Sequence, residues 1–223
     1  MHFQEDVQDP QYIRNYVSDL SDYEQLFRWT EESDGPTMIF NVTMQNHSGY
    51  SQGWNNLSGD VTVTGGAKPS SITTQYFSLM KESDQAIQAL VEHYSQVEEK
   101  TLIVFFGDHQ PPLGNTFFET LYGKKLDERD PEEVQQAYET PFFIWANYDI
   151  PEQADLRISS NYLGVLAAEV AGMPLPVGTV LVRGGGITMA SCEQYHITVH
   201  GKGGHGSMPN ACIDPITAAA HIH

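Results

Sequence analysis

The sequence predicts an α/β fold, and three observations carry that prediction. TLIVFF (101–106) is a β-branched and aromatic run of the kind found in a strand buried on both faces. A long amphipathic segment, 73–99, leads directly into it, and a second apolar run, PFFIWANY (141–148), follows. With TMIFNVTM (37–44) as a further strand, residues 37–106 make a strand–helix–strand unit. That order implies a parallel pair joined by a right-handed crossover.

The elements follow in order. A first helix is expected over 12–32, with Asp19 or Ser21 placed to cap its second half. SDGP (33–36) marks a turn into the strand 37–44, which runs out into QNHSGY (45–50). Residues 51–73, rich in Gly, Ser, Thr and Asn, read as a loop. In the helix 73–99, Tyr76, Leu79, Met80, Ile87, Leu90, Val91, Tyr94 and Val97 recur at three- and four-residue steps. This is the stripe of a core-facing helix, not of a cofactor box. A mobile acidic connection, 123–139, precedes the strand 141–148, and a closing helix over 159–171 ends at Gly172.

Charge bounds the partners. Eleven Lys and Arg stand against 29 Asp and Glu, a net charge of −18 in 223 residues. Such acidity excludes nucleic acid and anionic membrane as natural partners. The charge is also uneven: 181–223 balances to zero, and it holds both cysteines (Cys192, Cys212) and five of the nine histidines. A break this sharp predicts two segments of different origin, 1–172 and 173–223. Two cysteines make no disulfide framework. No apolar run approaches the roughly 18 residues of a membrane span. The N-terminus lacks the basic-then-apolar form of a signal peptide, so the chain as written is expected to be soluble.

The chemistry concentrates where the strand 101–106 stops. Gly107 breaks it, Asp108 and His109 follow, and Pro111 and Pro112 close the exit. Ligands bind at this edge in open α/β sheets, and a carboxylate beside an imidazole suits a divalent cation. A polar strand-to-loop exit would look the same. The expected strand 37–44 ends in Asn46 and His47, so parallel pairing would bring His47 to the edge that holds Asp108 and His109. Taken alone, His47 also fits a loop histidine bonded to backbone.

NVTMQNHSGY, QYFSLMKESDQAI, FFGDHQPPLG and TPFFIWANYDI, in unbroken order over about residues 10–172, resemble the lipoteichoic acid synthase-like branch of the sulfatase and alkaline phosphatase superfamily. The resemblance implies a partial alkaline-phosphatase-like sheet with flanking helices. It makes Asp108 and His109 ligands of a divalent metal, manganese or magnesium. It makes His47 a contact to the phosphate or sulfate ester of the substrate. Enzymes of this family are membrane-anchored with an extracellular catalytic domain. Their hydroxyl nucleophile and a further acidic ligand belong to the first third of that domain, which would precede residue 1. Thr43, Thr73, Thr74 and Thr101 are present, but none has a family nucleophile context. The expectation is a chain without turnover of its own.

The tail carries a different resemblance. GKGGHGSMP with the following IDPI, approached by LPVGTVLVRGGGITMA (175–190), resembles the lid or dimerisation domain of aminoacylase and hippurate-hydrolase-like zinc peptidases. This implies a small, incomplete α+β appendage with His205 as the lid histidine that polarises a substrate carbonyl. It also implies a homodimer through 190–223, and zinc held by a catalytic domain that nothing in this chain supplies. His196 and His200 lie four apart on an expected strand, a packing pattern. Asp214 and Pro215 open a helix, and His221 and His223 end the chain without a tag-like run. The two resemblances meet near MPLPVG (173–178), which predicts a truncated, recombined or misassembled reading frame. Three functional classes follow: a fragment of a phosphoglycerol transferase or sulfatase-like hydrolase, an amidohydrolase or peptidase fragment, and a domain that only binds.

Overall fold

A computed structural model describes residues 4–50, 53–64 and 70–173. All belong to the first of two compact units, Met1–Leu175. A 3-10 turn (Gln4–Asp6) leads to a two-residue hairpin, β1 (Tyr12–Ile13) and β2 (Tyr16–Val17), and then to helix α1 (Asp19–Glu31). The long helix α2 (Ser71–Ser95) feeds β3 (Leu102–Phe106). Helices α3 (Asn115–Tyr122) and α4 (Pro131–Gln136), with a 3-10 turn at Leu126–Glu128 between them, precede β4 (Phe142–Ala146). A 3-10 turn (Ser160–Tyr162) opens helix α5 (Leu163–Val170).

The expected first helix starts seven residues late. Arg14 sits at φ +57, a left-handed turn between β1 and β2, and no helix passes through it. The cap is Ser18, whose hydroxyl accepts from the Ser21 backbone, in place of Asp19 or Ser21. Helix α2 begins two residues early, because Ser70 and Thr73 close a reciprocal capping box at 3.1 Å in both directions.

The expected strand 37–44 is absent. The segment takes no regular structure, and the parallel crossover falls with it. β3 instead pairs antiparallel with β4, from Leu102 opposite Ala146 to Phe106 opposite Phe142. Its faces are half-buried, and Phe106 is exposed. A strand is buried on both faces only when neighbours cover it, and among the described residues β4 is its sole ladder partner. The connection 123–139, expected to be a mobile linker, carries the 3-10 turn Leu126–Glu128 and helix α4. Asp130 caps α4 by accepting from the Glu132 and Glu133 backbones, and Pro131 occupies the first turn. The closing helix ends as expected, at Gly172 with φ +69.

Two apolar clusters hold the unit. Tyr23 and Leu26 of α1 pack on Ala86, Leu90 and Tyr94 of α2, with Ile103 and Trp145 against them. Tyr50, Leu79 and Leu113 form the second, near Tyr76 and Phe117. The predicted α2 stripe is buried at Leu79, Leu90 and Tyr94, but Met80 lies exposed, and Ser78 and Ser83 are buried beside it. Asn147 ties α2 to the sheet, donating to the carbonyls of Tyr94, Val97 and Glu99 and accepting from the Thr101 amide.

Ser83 is buried because a polar network runs between the helices. Asp19, 3 % exposed, accepts from the Ser83 hydroxyl and from Gln45 Nε2. Gln45 Oε1 in turn accepts from the Asp19 amide at 2.9 Å. Burial raises the Asp19 carboxyl from 3.8 to about 6, against the pull of hydrogen bonds from Ser83 and Thr43. A carboxyl raised on folding contributes stability that is complete below its unfolded value near 3.8 and is lost as pH rises through about 6.

The Asp19→Asn variant should therefore gain stability relative to the parent chain as pH rises from about 4 to 7, by up to about 3 kcal/mol. Denaturant melts at both pH values measure it, and a constant difference would contradict it. Met38, Phe40 and Val42 of the irregular segment are 94 %, 74 % and 54 % exposed, an apolar patch of the kind that drives self-association. The double change Met38→Lys with Phe40→Lys should reduce self-association in sedimentation velocity and leave stability within about 0.5 kcal/mol.

Candidate functional site

The β3 exit is fastened before its polar residues begin. The Gly107 amide donates to the Pro141 carbonyl at 3.1 Å, and the Thr140 hydroxyl donates to the Gly107 carbonyl at 2.8 Å. A Cβ on Gly107 would stand 3.2 Å from Thr140 Cβ, so any side chain there would press on Thr140 by a few tenths of an ångström. Beyond it, the Gln110 side-chain amide donates to the Glu139 carbonyl.

Asp108 and His109 project from this fastened exit. Asp108 Oδ1 accepts from the His109 amide at 2.9 Å, and Oδ2 lies 3.5 Å from His109 Nε2. His109 Nδ1 lies 3.0 Å from the Gln110 carbonyl. A carbonyl only accepts, so Nδ1 donates there, and Nε2 is the ring nitrogen that faces the Asp108 carboxylate. With Nδ1 so engaged, Nε2 is the nitrogen through which the ring could bind a metal. Both side chains are open to solvent, 84 % for Asp108 and 65 % for His109.

His47 occupies a loop held from below. Its amide donates to the Met44 carbonyl at 3.0 Å, and its own carbonyl accepts from Arg14 Nη2 at 2.7 Å. The same Nη2 reaches the Gln45 carbonyl at 2.6 Å. Arg14 is 4 % exposed, with its guanidinium carbon 5.2 Å from the Tyr16 ring centre and 5.6 Å from that of Tyr50. Burial lowers the Arg14 pKa, and the Tyr16 and Tyr50 hydroxyls oppose the fall. Tyr16 Oη lies 3.4 Å from His47 Nδ1.

Tyr50 joins the two loops. Its hydroxyl donates to the Asn46 carbonyl at 2.8 Å, beside His47. Burial pushes that hydroxyl up to about 12, and the Asp108 carboxylate adds to the rise. The loop of His47 and the chain leaving the Asp108 exit thus meet where Tyr50 packs with Leu113, without a strand pairing to align them. Sequence reasoning missed Arg14, Tyr16 and Tyr50. The signal was an arginine between two tyrosines, YIRNY, in an acidic segment.

The donors test a divalent ion in part. Asp108 and His109 offer one hard oxygen and one nitrogen, right for manganese or magnesium in kind. Among the described residues no group of three or more His, Cys, Asp or Glu side chains can hold an ion. The pair fits a fraction of a coordination shell. The threonines do not complete it: Thr73 is held in the α2 cap, Thr43 bonds Asp19, and Thr101 donates to the Glu99 carbonyl. His205, His196, His200, His221, His223, both cysteines and the 190–223 dimer surface lie outside the described residues. No helix of the described residues is long and apolar enough to cross a membrane.

Comparison with known proteins accounts for both segments. A putative cyclic β-1,2-glucan modification protein of Rhizobium meliloti (strain 1021) is 28 % identical over 170 residues, 74 % of this chain and 26 % of that protein. N-acetylcysteine deacetylase of Bacillus subtilis (strain 168) is 52 % identical over 48 residues, 22 % of this chain and 12 % of the enzyme. This short match supports the peptidase-like resemblance of the tail. Among solved structures, a phosphoglycerol transferase of Streptococcus pyogenes, GacH, in complex with sn-glycerol-1-phosphate, superposes with a TM-score of 0.53 at 20 % identity. That match covers 75 % of this chain and 41 % of the transferase, and it shows the fold. The chain thus spans well under half of the proteins it resembles. The Sulfatase family model matches residues 2–173, more than half of the sequence, and the chain belongs to the Sulfatase family.

Proposed function

We propose that residues 1–172 are the part of a metal-dependent phosphoglycerol transferase or sulfatase-like hydrolase that supplies half of its metal site and one substrate contact. The observation that carries this reading is the packing of Tyr50, whose hydroxyl holds the Asn46 carbonyl beside His47, against Leu113 of the chain that leaves the Asp108 exit. Asp108 Oδ2 and His109 Nε2 would be the protein ligands from this segment. A bound divalent ion lowers the pKa of a hydroxyl nucleophile and screens the charge of a phosphoryl or sulfuryl group. His47 is the substrate contact. With the Tyr16 hydroxyl donating to Nδ1, Nε2 carries the proton and donates to an ester oxygen. The glycerol phosphate bound to the streptococcal neighbour makes a phosphate ester the substrate class to test first.

Turnover needs at least one more protein ligand and a hydroxyl nucleophile, and among the described residues no group of three or more His, Cys, Asp or Glu side chains can hold an ion. The alternative assignment, a zinc amidohydrolase fragment contributing His205, rests on the short deacetylase match and applies to 173–223 alone. A domain that only binds is what would remain without metal affinity.

Calorimetric titration of the chain with manganese should reveal weak binding that Asp108→Asn reduces at least about tenfold. Identical isotherms for the two proteins would defeat the half-site. The same chain with manganese and an aryl phosphate should release no phenol above the uncatalysed rate. Release that disappears on Asp108→Ala would overturn the requirement for further residues.

A further inference from the structure

A second cleft opens directly beside the metal-ligand loop. Its volume is about 190 Å³, and Gln110, Pro111, Phe118, Leu126, Arg129 and Ala137 line it. Pockets for drug-sized ligands run from about 300 to 1,000 Å³, so this one suits a single ring or head group. Most of its walls are apolar, and Arg129 is the one cation on them.

Arg129 forms no ion pair among the described residues, and several carboxylates close to it in sequence have other partners. Glu128 accepts from the Lys125 amide, and Asp130 accepts from the amides of Glu132 and Glu133 at the α4 cap. Glu133 pairs with Lys124 at 2.6 Å, and Glu139 pairs with Arg157 at 2.9 Å. Arg129 itself stacks over the Tyr122 ring at 5.1 Å and spends only Nε, on the Leu126 carbonyl at 3.3 Å. The stacking fixes the guanidinium plane, and its two terminal nitrogens keep their donors. The fork is thus held over the Tyr122 ring with its terminal nitrogens open.

We propose that this cleft is a second substrate subsite, in which Arg129 holds the phosphate of a phosphate ester and Phe118 and Leu126 pack against the ring or carbon skeleton that bears it. The proposal rests on the phosphate-ester reading of the neighbouring site and names where a second esterified unit lies. Arg129 takes the anion in bidentate fashion, which a planar fork does and an ammonium does not. Gln110 bounds the cleft on the His109 side, so the two subsites share one loop.

The experiment is an amide NMR titration of the full chain with phenyl phosphate in EDTA, where Asp108 and His109 cannot contribute through a metal. Saturable shifts should appear at Gln110, Phe118, Leu126, Arg129 and Ala137. Arg129→Gln should weaken binding about tenfold or more, the usual loss for a charge-assisted contact. Phe118→Ala should remove the preference for phenyl phosphate over inorganic phosphate. Ala137→Phe fills the cleft without touching Arg129 and should also abolish binding, which guards against a folding defect in the first variant. Unchanged affinity in Arg129→Gln, or shifts confined to His47 and Tyr50, would overturn the subsite. Manganese binding lost in Asp108→Asn while phenyl phosphate still binds here would separate this site from the metal half-site.

Discussion

The placement of His47 depends on one buried carboxyl. Asp19 lies at the start of α1, Ser83 in the middle of α2, and Gln45 in the loop that ends at His47. Three elements far apart in sequence meet at one polar knot instead of an apolar one. A buried polar network earns its place only when its members find partners, and it then fixes one arrangement where apolar contacts would tolerate several. Arg14 extends the same logic by clamping the Gln45 and His47 carbonyls from a left-handed turn. The histidine is held through its backbone, and its ring is left to chemistry.

The sheet contributes differently. β3 and β4 form a short antiparallel ladder, and Asn147 welds it to the end of α2 with four hydrogen bonds. The Asp108–His109 exit is therefore referenced to α2 by one route and the His47 loop by another. Leu79, fully buried on α2, lies in the cluster that also holds Tyr50 and Leu113. A single long helix serves as the common ruler for both halves of the site.

What could be read from the sequence follows from what each signal depends on. The helix of 73–99 and the strands at 101–106 and 141–148 were legible because periodicity and apolar runs are local. Asp108 and His109 were legible as a pair because a glycine and two prolines mark the strand end. The strand at 37–44 was misread because its composition is strand-like, but a strand exists only with a ladder partner. The start of α1 was misread because an arginine with positive φ carries no sequence mark. Arg14, Tyr16 and Tyr50 escaped for a similar reason. Their meeting is a product of tertiary contacts across 31 to 36 residues, which no spacing rule covers.

The fastening of Gly107 to Thr140 and Pro141 has an architectural consequence. The chain between α3 and β4 leaves the exit and returns to it, so its two ends are tethered at one point. Residues within that excursion can lengthen, shorten or change character without moving Asp108, provided 139–141 still closes the tether. Substitutions around Arg129 are thus free to change the cleft it lines while Asp108 and His109 stay where the tether holds them. Such a design lets a family keep its chemistry while it varies what the chemistry is applied to.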